Sequence, residues 1–240
     1  MNQAEGNQRI EVERKGKWLL ARFSEPHVVL SWAVVRGGKS QTETVAWYQV
    51  TQGELAPPMD PKEFLKRRLA EASLHGAVGL LTSVNLDFYA DREKNLEGIS
   101  VRSIVTVGLH NSLRVGDLPR AANPVVGTIN LLCQISLPLS KEAFLEALCL
   151  ATEARTAALL ESGIPSVESG RPATGTGTDC IVMAAPRQGV ALRYVGKHTL
   201  AGHLIGASVL EAVRSGLHNP QRENLNQGNL LPPDSNRSRI

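Results

Sequence analysis

The feature that most constrains this chain is the run from Lys141 to Ser162, which is almost wholly apolar. Ser140 supplies an N-cap in front of it, Glu142 sits in its first turn, and Gly163 with Pro165 marks its stop. A helix that is apolar nearly all round has to be buried. Its few polar positions matter for the same reason. At about 100° per residue, Glu142, Glu146, Cys149, Glu153 and Thr156 fall in one narrow stripe, the wet face or the lining of a pocket, with Glu153 the deepest in the helix.

Cover for that helix comes from short β-type runs. Ile10 to Val12 and Trp18 to Phe23 flank the charged turn Arg14-Lys15-Gly16-Lys17 and predict a hairpin. His27 to Val35, ending at Gly37-Gly38, and Thr42 to Thr51 extend it into an antiparallel meander. Ser31 beside Gly37-Gly38 is the best site candidate within that meander, though a plain strand and turn explains it as well. Asp60, Pro61 and Glu63 open a helix that runs to about Ser73. Strands are expected over 77–84, 99–109, 126–135 and 181–186, with a further short one at Val190 to Val195. The segment Asn85 to Glu97 is more polar, and His110 to Pro124 reads as loop. A last helix is expected over 197–216, where Gly202 and Gly206 form a small face for close packing of another backbone. Arg102 lies in the 99–109 strand, with a solvated position favoured over a ligand anion. These elements predict an α+β fold: a mixed, mostly antiparallel sheet with about three helices packed on it. Residues 1–9 read as a flexible N-terminus, 10–218 as a single domain and 219–240 as a disordered tail rich in Asn, Gln, Pro and Arg.

Charge and composition exclude several classes. A net charge of +3, 4% aromatic residues and no basic run longer than Lys66-Arg67-Arg68 argue against a nucleic-acid partner. The segment Met1 to Lys17 lacks the apolar core of a signal peptide, and no apolar run is long enough for a membrane span. Three cysteines without C-x-x-C spacing suit reduced thiols and make a cysteine-based zinc site improbable. The chain reads as cytoplasmic, with a homo-oligomer left open.

The least random stretch is Ala173-Thr174-Gly175-Thr176-Gly177-Thr178-Asp179-Cys180. If extended, it places Thr174, Thr176 and Thr178 on one side and Gly175, Gly177 and Asp179 on the other. Taken alone it is more often a glycine-rich turn feeding a buried strand than a site. The second candidate is Gly196-Lys197-His198-Thr199, expected at a helix N-terminus, where backbone N–H groups favour anions. It is not a P-loop, because Ala191 stands where the first glycine is needed and His198 follows the lysine. There His198 suits a general base, a hydrogen-bond partner or a plain helix cap. His198 and His203 project from different helix faces, so no two-histidine metal site is expected. Three arrangements fit these pieces: a Cys180–His198 thiol–imidazole pair, an Asp179–His198 acid/base pair acting on water, or a threonine nucleophile among Thr174, Thr176 and Thr178. Glycine N–H groups would hold an oxyanion in each.

Gly127-Thr128-Ile129-Asn130, the run Ala151-Thr152-Glu153-Ala154-Arg155-Thr156-Ala157-Ala158, the Thr/Gly run and Gly196-Lys197-His198-Thr199 occur in an order and spacing that resembles the adenosylcobinamide amidohydrolase (CbiZ) family. Val107-Gly108-Leu109 with Asn111 and Gly116-Asp117 adds to the likeness, which covers roughly residues 18–217. Arg155 stands where the family's lysine is expected, and Cys180 where many members have a small residue, which weakens a thiol nucleophile. The resemblance implies hydrolysis of the amide that joins aminopropanol to the corrin ring of adenosylcobinamide, giving adenosylcobyric acid and 1-amino-2-propanol in corrinoid salvage. It implies a corrinoid partner, no protein-bound cofactor or metal, and cobalt that arrives with the substrate. Asp179 and His198 would make the proton transfers. Thr174, Gly175, Thr176, Gly177 and Thr178 would hold the oxyanion, with Asn130, Glu153 and Lys197 orienting the substrate. The alternative is a corrinoid- or nucleotide-binding protein without hydrolysis.

Overall fold

The computed structural model describes residues 10–51, 53–118 and 127–218. The expected N-terminal segment 1–9 and tail 219–240 lie outside these, as does position 126 of one expected strand. The chain runs β1 (Ile10–Lys15), β2 (Trp18–Ser31), β3 (Gly38–Gln49), α1 (Pro61–Glu71), β4 (Val78–Thr82), β5 (Ala90–Leu96), β6 (Ile99–Val107), β7 (Ser112–Leu113), β8 (Ile129–Ile135), α2 (Lys141–Ser162), β9 (Gly175–Thr176), β10 (Cys180–Pro186) and α3 (Leu200–Leu217). The architecture is α+β, as the sequence predicts.

Eight strands form one sheet in the order β4-β3-β2-β10-β8-β6-β5, with β1 paired to β2, while β7 and β9 make a separate two-stranded piece. The pairs β3–β4 and β8–β10 are parallel and the rest of the large sheet is antiparallel. Alternate residues of β10 face two cores. Ile181, Met183 and Ala185 pack with α2 and α3, whereas Val182 and Ala184 join Trp47, Leu80, Ile104 and Leu132 on the other side. That second core is closed by the sheet's own curl. Asn130 Nδ2 on β8 donates to the Leu81 carbonyl on β4 at 2.7 Å, and Arg102 Nη1 on β6 donates to the Ile10 carbonyl on β1 at 2.7 Å. Helix α1 buries Phe64, Leu65 and Leu69 against Leu20, Ala46 and Tyr48.

The helix of 141–162 forms with the expected bounds. The Ser140 side chain accepts from Ala143 N, and Gly163 closes it with φ 67°. Several expectations change. Trp18 to Phe23 and His27 to Val35 are not separate strands: β2 is continuous to Ser31, and an irregularity between Arg22 and His27 supplies the apparent break. The polar stretch 85–97 contains β5, an edge strand whose outer positions need no apolar residues; Glu97 and Gly98, both at positive φ, turn it into β6. Val190 to Val195 is not a strand. It makes one bridge, Leu139 with Leu192, and the Val195 N–H goes instead to the Glu146 carboxylate at 2.8 Å. Arg102 is neither solvated nor free for an anion, because Asp91 holds it through Nε at 2.9 Å and Nη2 at 2.6 Å. Gly202 does meet a backbone, since a Cβ there would overlap the carbonyls of Val195 and Gly196, but Gly206 has open space where its Cβ would be. Among the described residues, no helix is long and apolar enough to cross a membrane.

Candidate functional site

The Thr/Gly/Asp run lies at one end of the large sheet, where the parallel strands β8 and β10 begin and their neighbours β2 and β6 end. Only Gly175 and Thr176 are extended there, paired with Leu113 and Ser112. Residues 177–178 form a turn that brings Asp179 back over Thr176, so the alternation expected of a fully extended run does not occur. Thr176 and Asp179 lie together instead of on opposite sides.

The Asp179 carboxylate is held on all sides. Its Oδ2 accepts from the Thr176 N–H at 2.9 Å and forms an ion pair with Arg155 Nη1. Its Oδ1 accepts from the Ile129 N–H at 3.0 Å and from the Thr176 hydroxyl. The acid and the guanidinium are both about nine-tenths buried, with side-chain exposures of 9% and 10%. A buried carboxylate without partners would be costly; here a cation, two backbone N–H groups and a hydroxyl take up its lone pairs. Gly175 is part of the same construction, because any Cβ at this position would overlap Asp179 Oδ2 and lie 2.5 Å from Arg155 Nη1.

Other members of the run tie the rim together. The Thr174 hydroxyl accepts from the Val115 N–H at 2.8 Å, and the Thr174 carbonyl accepts from the Thr156 hydroxyl at 3.3 Å. The Thr178 hydroxyl donates to the Gly127 carbonyl at 2.9 Å, and the Thr128 hydroxyl to the Thr178 carbonyl at 2.8 Å. Gly177 and Thr178 are exposed at the turn, with the Asn111 amide 3.6 Å from where a Gly177 Cβ would be. Asn111 Oδ1 is buried with no hydrogen-bond partner among the described residues. Asp117 closes the adjoining loop: its Oδ2 accepts from the Ser166 hydroxyl at 2.5 Å and from the Arg114 N–H at 3.0 Å, and the Ser166 bond leads in holding its carboxyl below the usual range.

Asn130 sits on β8 beside Cys180 and is buried below this rim, its amide tied to Leu81. Cys180 is buried as well; burial pushes its thiol up to about 12, against a smaller opposing effect of the Trp32 backbone N–H. A thiol in that state is not a ready nucleophile.

The second candidate run is placed elsewhere. Helix α3 starts at Leu200, with Thr199 as its N-cap accepting from Gly202 N. Lys197 and His198 therefore precede the cap, outside the first turn, and His198 is neither the cap nor part of the helix. Both are exposed, and Lys197 pairs with Glu153 at 2.5 Å. Glu153 and Arg155, two residues apart, project from nearly opposite sides of α2. The Lys197–His198 corner thus reaches α2 from one side while Arg155 holds Asp179 from the other. No hydrogen bond joins Asp179 and His198 among the described residues.

Arg155 is the residue that sequence reasoning undervalued, marking it only as a basic position of the family pattern. Its signal was positional: it falls four residues after Ala151 and four before Leu159, both on the buried face. A cation at the centre of an apolar stripe needs a buried partner.

Comparison with known proteins agrees along nearly the whole chain. A family model described as adenosylcobinamide amidohydrolase (CbiZ) matches residues 2–225. An adenosylcobinamide amidohydrolase of Methanosarcina mazei is 28% identical over 193 residues, 76% of this chain and 86% of that protein. One of Halobacterium salinarum is 30% identical over 190 residues, 75% of this chain and 76% of its own length. Among solved structures, a Burkholderia sp. beta-aminopeptidase overlaps with a TM-score of 0.43 at 14% identity, over 90% of this chain and 82% of that one, too loosely to bear on function. With the family model spanning the large sheet, all three helices and the Arg155–Asp179 rim, the chain belongs to the adenosylcobinamide amidohydrolase family.

Proposed function

We propose that this protein hydrolyses the amide bond joining aminopropanol to the propionyl side chain of the corrin ring in adenosylcobinamide. The products are adenosylcobyric acid and 1-amino-2-propanol, a step of corrinoid salvage. One observation carries the assignment to this site. In a chain of this family, a buried Arg155–Asp179 pair presents the Thr176 hydroxyl at a glycine-lined sheet rim.

Amide hydrolysis needs an attacking oxygen stripped of its proton, donors for the tetrahedral oxyanion and an acid for the departing amine. Asp179 is the proton acceptor in this reading, for the Thr176 hydroxyl already bonded to it, and Arg155 positions the carboxylate. The attack joins the Thr176 oxygen to the propionyl carbon as an ester while the C–N bond breaks, and the proton passes to the nitrogen of the leaving aminopropanol; a water then cleaves the ester, restoring the Thr176 hydroxyl and releasing the corrin carboxylate. The exposed turn at Gly177 and Thr178 offers backbone N–H groups to the oxyanion, with Thr174 and Gly175 shaping its wall. His198, Lys197 and Glu153 form a second polar group across α2, suited to the far parts of a large substrate, His198 being the further candidate for proton transfer. Asn130 supports the floor. Cobalt belongs to the substrate in this scheme, and no protein-bound cofactor is invoked.

The test is direct. Purified protein incubated with adenosylcobinamide yields adenosylcobyric acid and 1-amino-2-propanol by mass spectrometry. Tight binding of the corrinoid with no product overturns the reading and leaves a binding protein in its place.

A further inference from the structure

Among the three tryptophans, two are engaged by the fold. Trp47 is fully buried, and Trp18 packs edge-on against Tyr48 with ring centroids 4.8 Å apart. Trp32 is 48% exposed. It follows the last residue of β2, and the antiparallel register that opposes Ser31 to Val182 carries it to the start of β10, next to the candidate site. Its indole Nε1 donates to the backbone carbonyl of Asp179. The Arg36–Gly37 turn folds tightly against the same segment: a Cβ on Gly37 would lie 2.6 Å from the Ala33 carbonyl oxygen. The indole is therefore anchored through its N–H, and about half of the residue stays exposed at the rim.

Resting on the function proposed above, we propose that Trp32 is a specificity-determining residue, whose exposed indole is the platform for the corrin macrocycle of the substrate. A corrinoid is a broad, gently puckered macrocycle whose scissile amide sits at the end of a short propionyl arm. An enzyme that acts on that arm needs a flat apolar surface within a few bonds' reach of its catalytic carboxylate. Trp32 is anchored to the main-chain carbonyl of the residue whose side chain carries that carboxylate, so the separation between platform and site is that within one aspartate. Aromatic surface suits this partner because an indole makes broad dispersion contact with the face of such a macrocycle at little entropic cost.

Steady-state kinetics on adenosylcobinamide with wild type, Trp32→Ala and Trp32→Phe test this, with thermal melts to establish that each variant folds. The expected result for Trp32→Ala is a KM raised about tenfold, the size of a lost aromatic stacking contact, with a much smaller change in kcat. Trp32→Phe should recover most of the loss. An unchanged KM, or a fall confined to kcat, overturns the inference and makes Trp32 only a support for Asp179. Equilibrium binding of cobinamide, followed by calorimetry, separates this from the proposed function. Wild type that binds without hydrolysing, and Trp32→Ala that binds more weakly, would sink the hydrolase and sustain the platform. Equal binding by the two proteins overturns the platform whatever the catalytic result.

Discussion

Among the described residues, Glu54 and Asp179 are both carboxylates enclosed by hydrogen bonds, and they differ in what encloses them. Glu54 lies in the loop after β3. Its Oε2 accepts from the Thr51 N–H at 2.7 Å, the Thr51 hydroxyl at 2.8 Å and Lys17 Nζ at 2.9 Å, while Arg68 stands 3.8 Å from Oε1. Asp179 has the same kinds of partner: backbone N–H groups, a threonine hydroxyl and a cation. The cations set the two apart. Lys17 and Arg68 are 41% and 38% exposed and could be replaced by water, whereas Arg155 is buried and excludes any side chain at position 175. One group pins a surface loop. The other places a charged pair below a hydroxyl at the mouth of two parallel strands, which is an arrangement a stability role alone does not need.

The strongest way to break this contrast is at Asp179 itself. Asp179→Asn should lower turnover of adenosylcobinamide by about 10²–10⁴-fold, the range for a lost general base. It also leaves Arg155 buried and unpaired, at a cost of about 3–5 kcal/mol in stability, so the melt must be read beside the rate. Thr176→Val removes that ambiguity: it keeps the ion pair and loses only the hydroxyl, and it should lower turnover with the fold intact. His198 is exposed, so His198→Ala should leave the melting temperature in place and reduce turnover if the imidazole shares the proton transfers. Near-normal rates in both Asp179→Asn and His198→Ala would remove both from the chemistry.

Gly175→Ala probes the packing side of the same contrast. A methyl group there must displace Asp179 or Arg155, so the expected cost is about 1–3 kcal/mol, as for other overpacked sites, together with a large loss of turnover. Ordinary stability in this variant would show that the pair is not as closely fitted as its geometry indicates.

These residues also show what a sequence can and cannot reveal. The caps of α2 at Ser140 and Gly163 are local chemistry, and they placed that helix at its observed bounds. The two-residue turn at Glu97-Gly98 is equally local, but β5 was missed because an edge strand with solvent on one side has no need of alternating apolar residues. The Thr/Gly run was recognised as unusual, yet its conformation was not legible, since the turn at 177–178 is stabilised by Arg155, Ile129 and Gly127 from distant parts of the chain. The separation of Asp179 from His198 follows from which face of α2 each meets, and a helix start three residues later than expected is enough to move His198 out of it.

Glu54→Gln gives a smaller effect of a different kind. Burial opposes ionisation of Glu54, but the Thr51 and Lys17 hydrogen bonds outweigh it and hold the carboxyl down at about 2. A depressed carboxyl stabilises the fold above its unfolded value and loses that stabilisation as the pH falls through the folded one. The wild type should therefore lose stability from this group as the pH falls from 4.5 to about 2, measured by urea unfolding, and Glu54→Gln should lack that part of the acid dependence. Turnover should stay near wild type; a large fall would abolish the distinction between the two carboxylates.

The smallest expected effect is at Cys180, one residue from Asp179. Burial pushes its thiol and that of Cys133 up to about 12, while Cys149 is exposed. Iodoacetamide should therefore label Cys149 in the folded protein and spare the other two, and Cys180→Ala should keep turnover within about twofold, its cost limited to a small buried side chain. The sign of the pH effect is opposite to that of Glu54. An unfolded thiol ionises near its ordinary value while the buried one stays protonated, so above about pH 9 the unfolded state binds fewer protons and stability falls, by about 1.4 kcal/mol per pH unit for each thiol. Replacing both buried cysteines by alanine should flatten that alkaline slope in urea titrations. If instead Cys180→Ala abolishes hydrolysis while the alkaline slope is unchanged, the thiol rather than the carboxylate beside it is the reacting group.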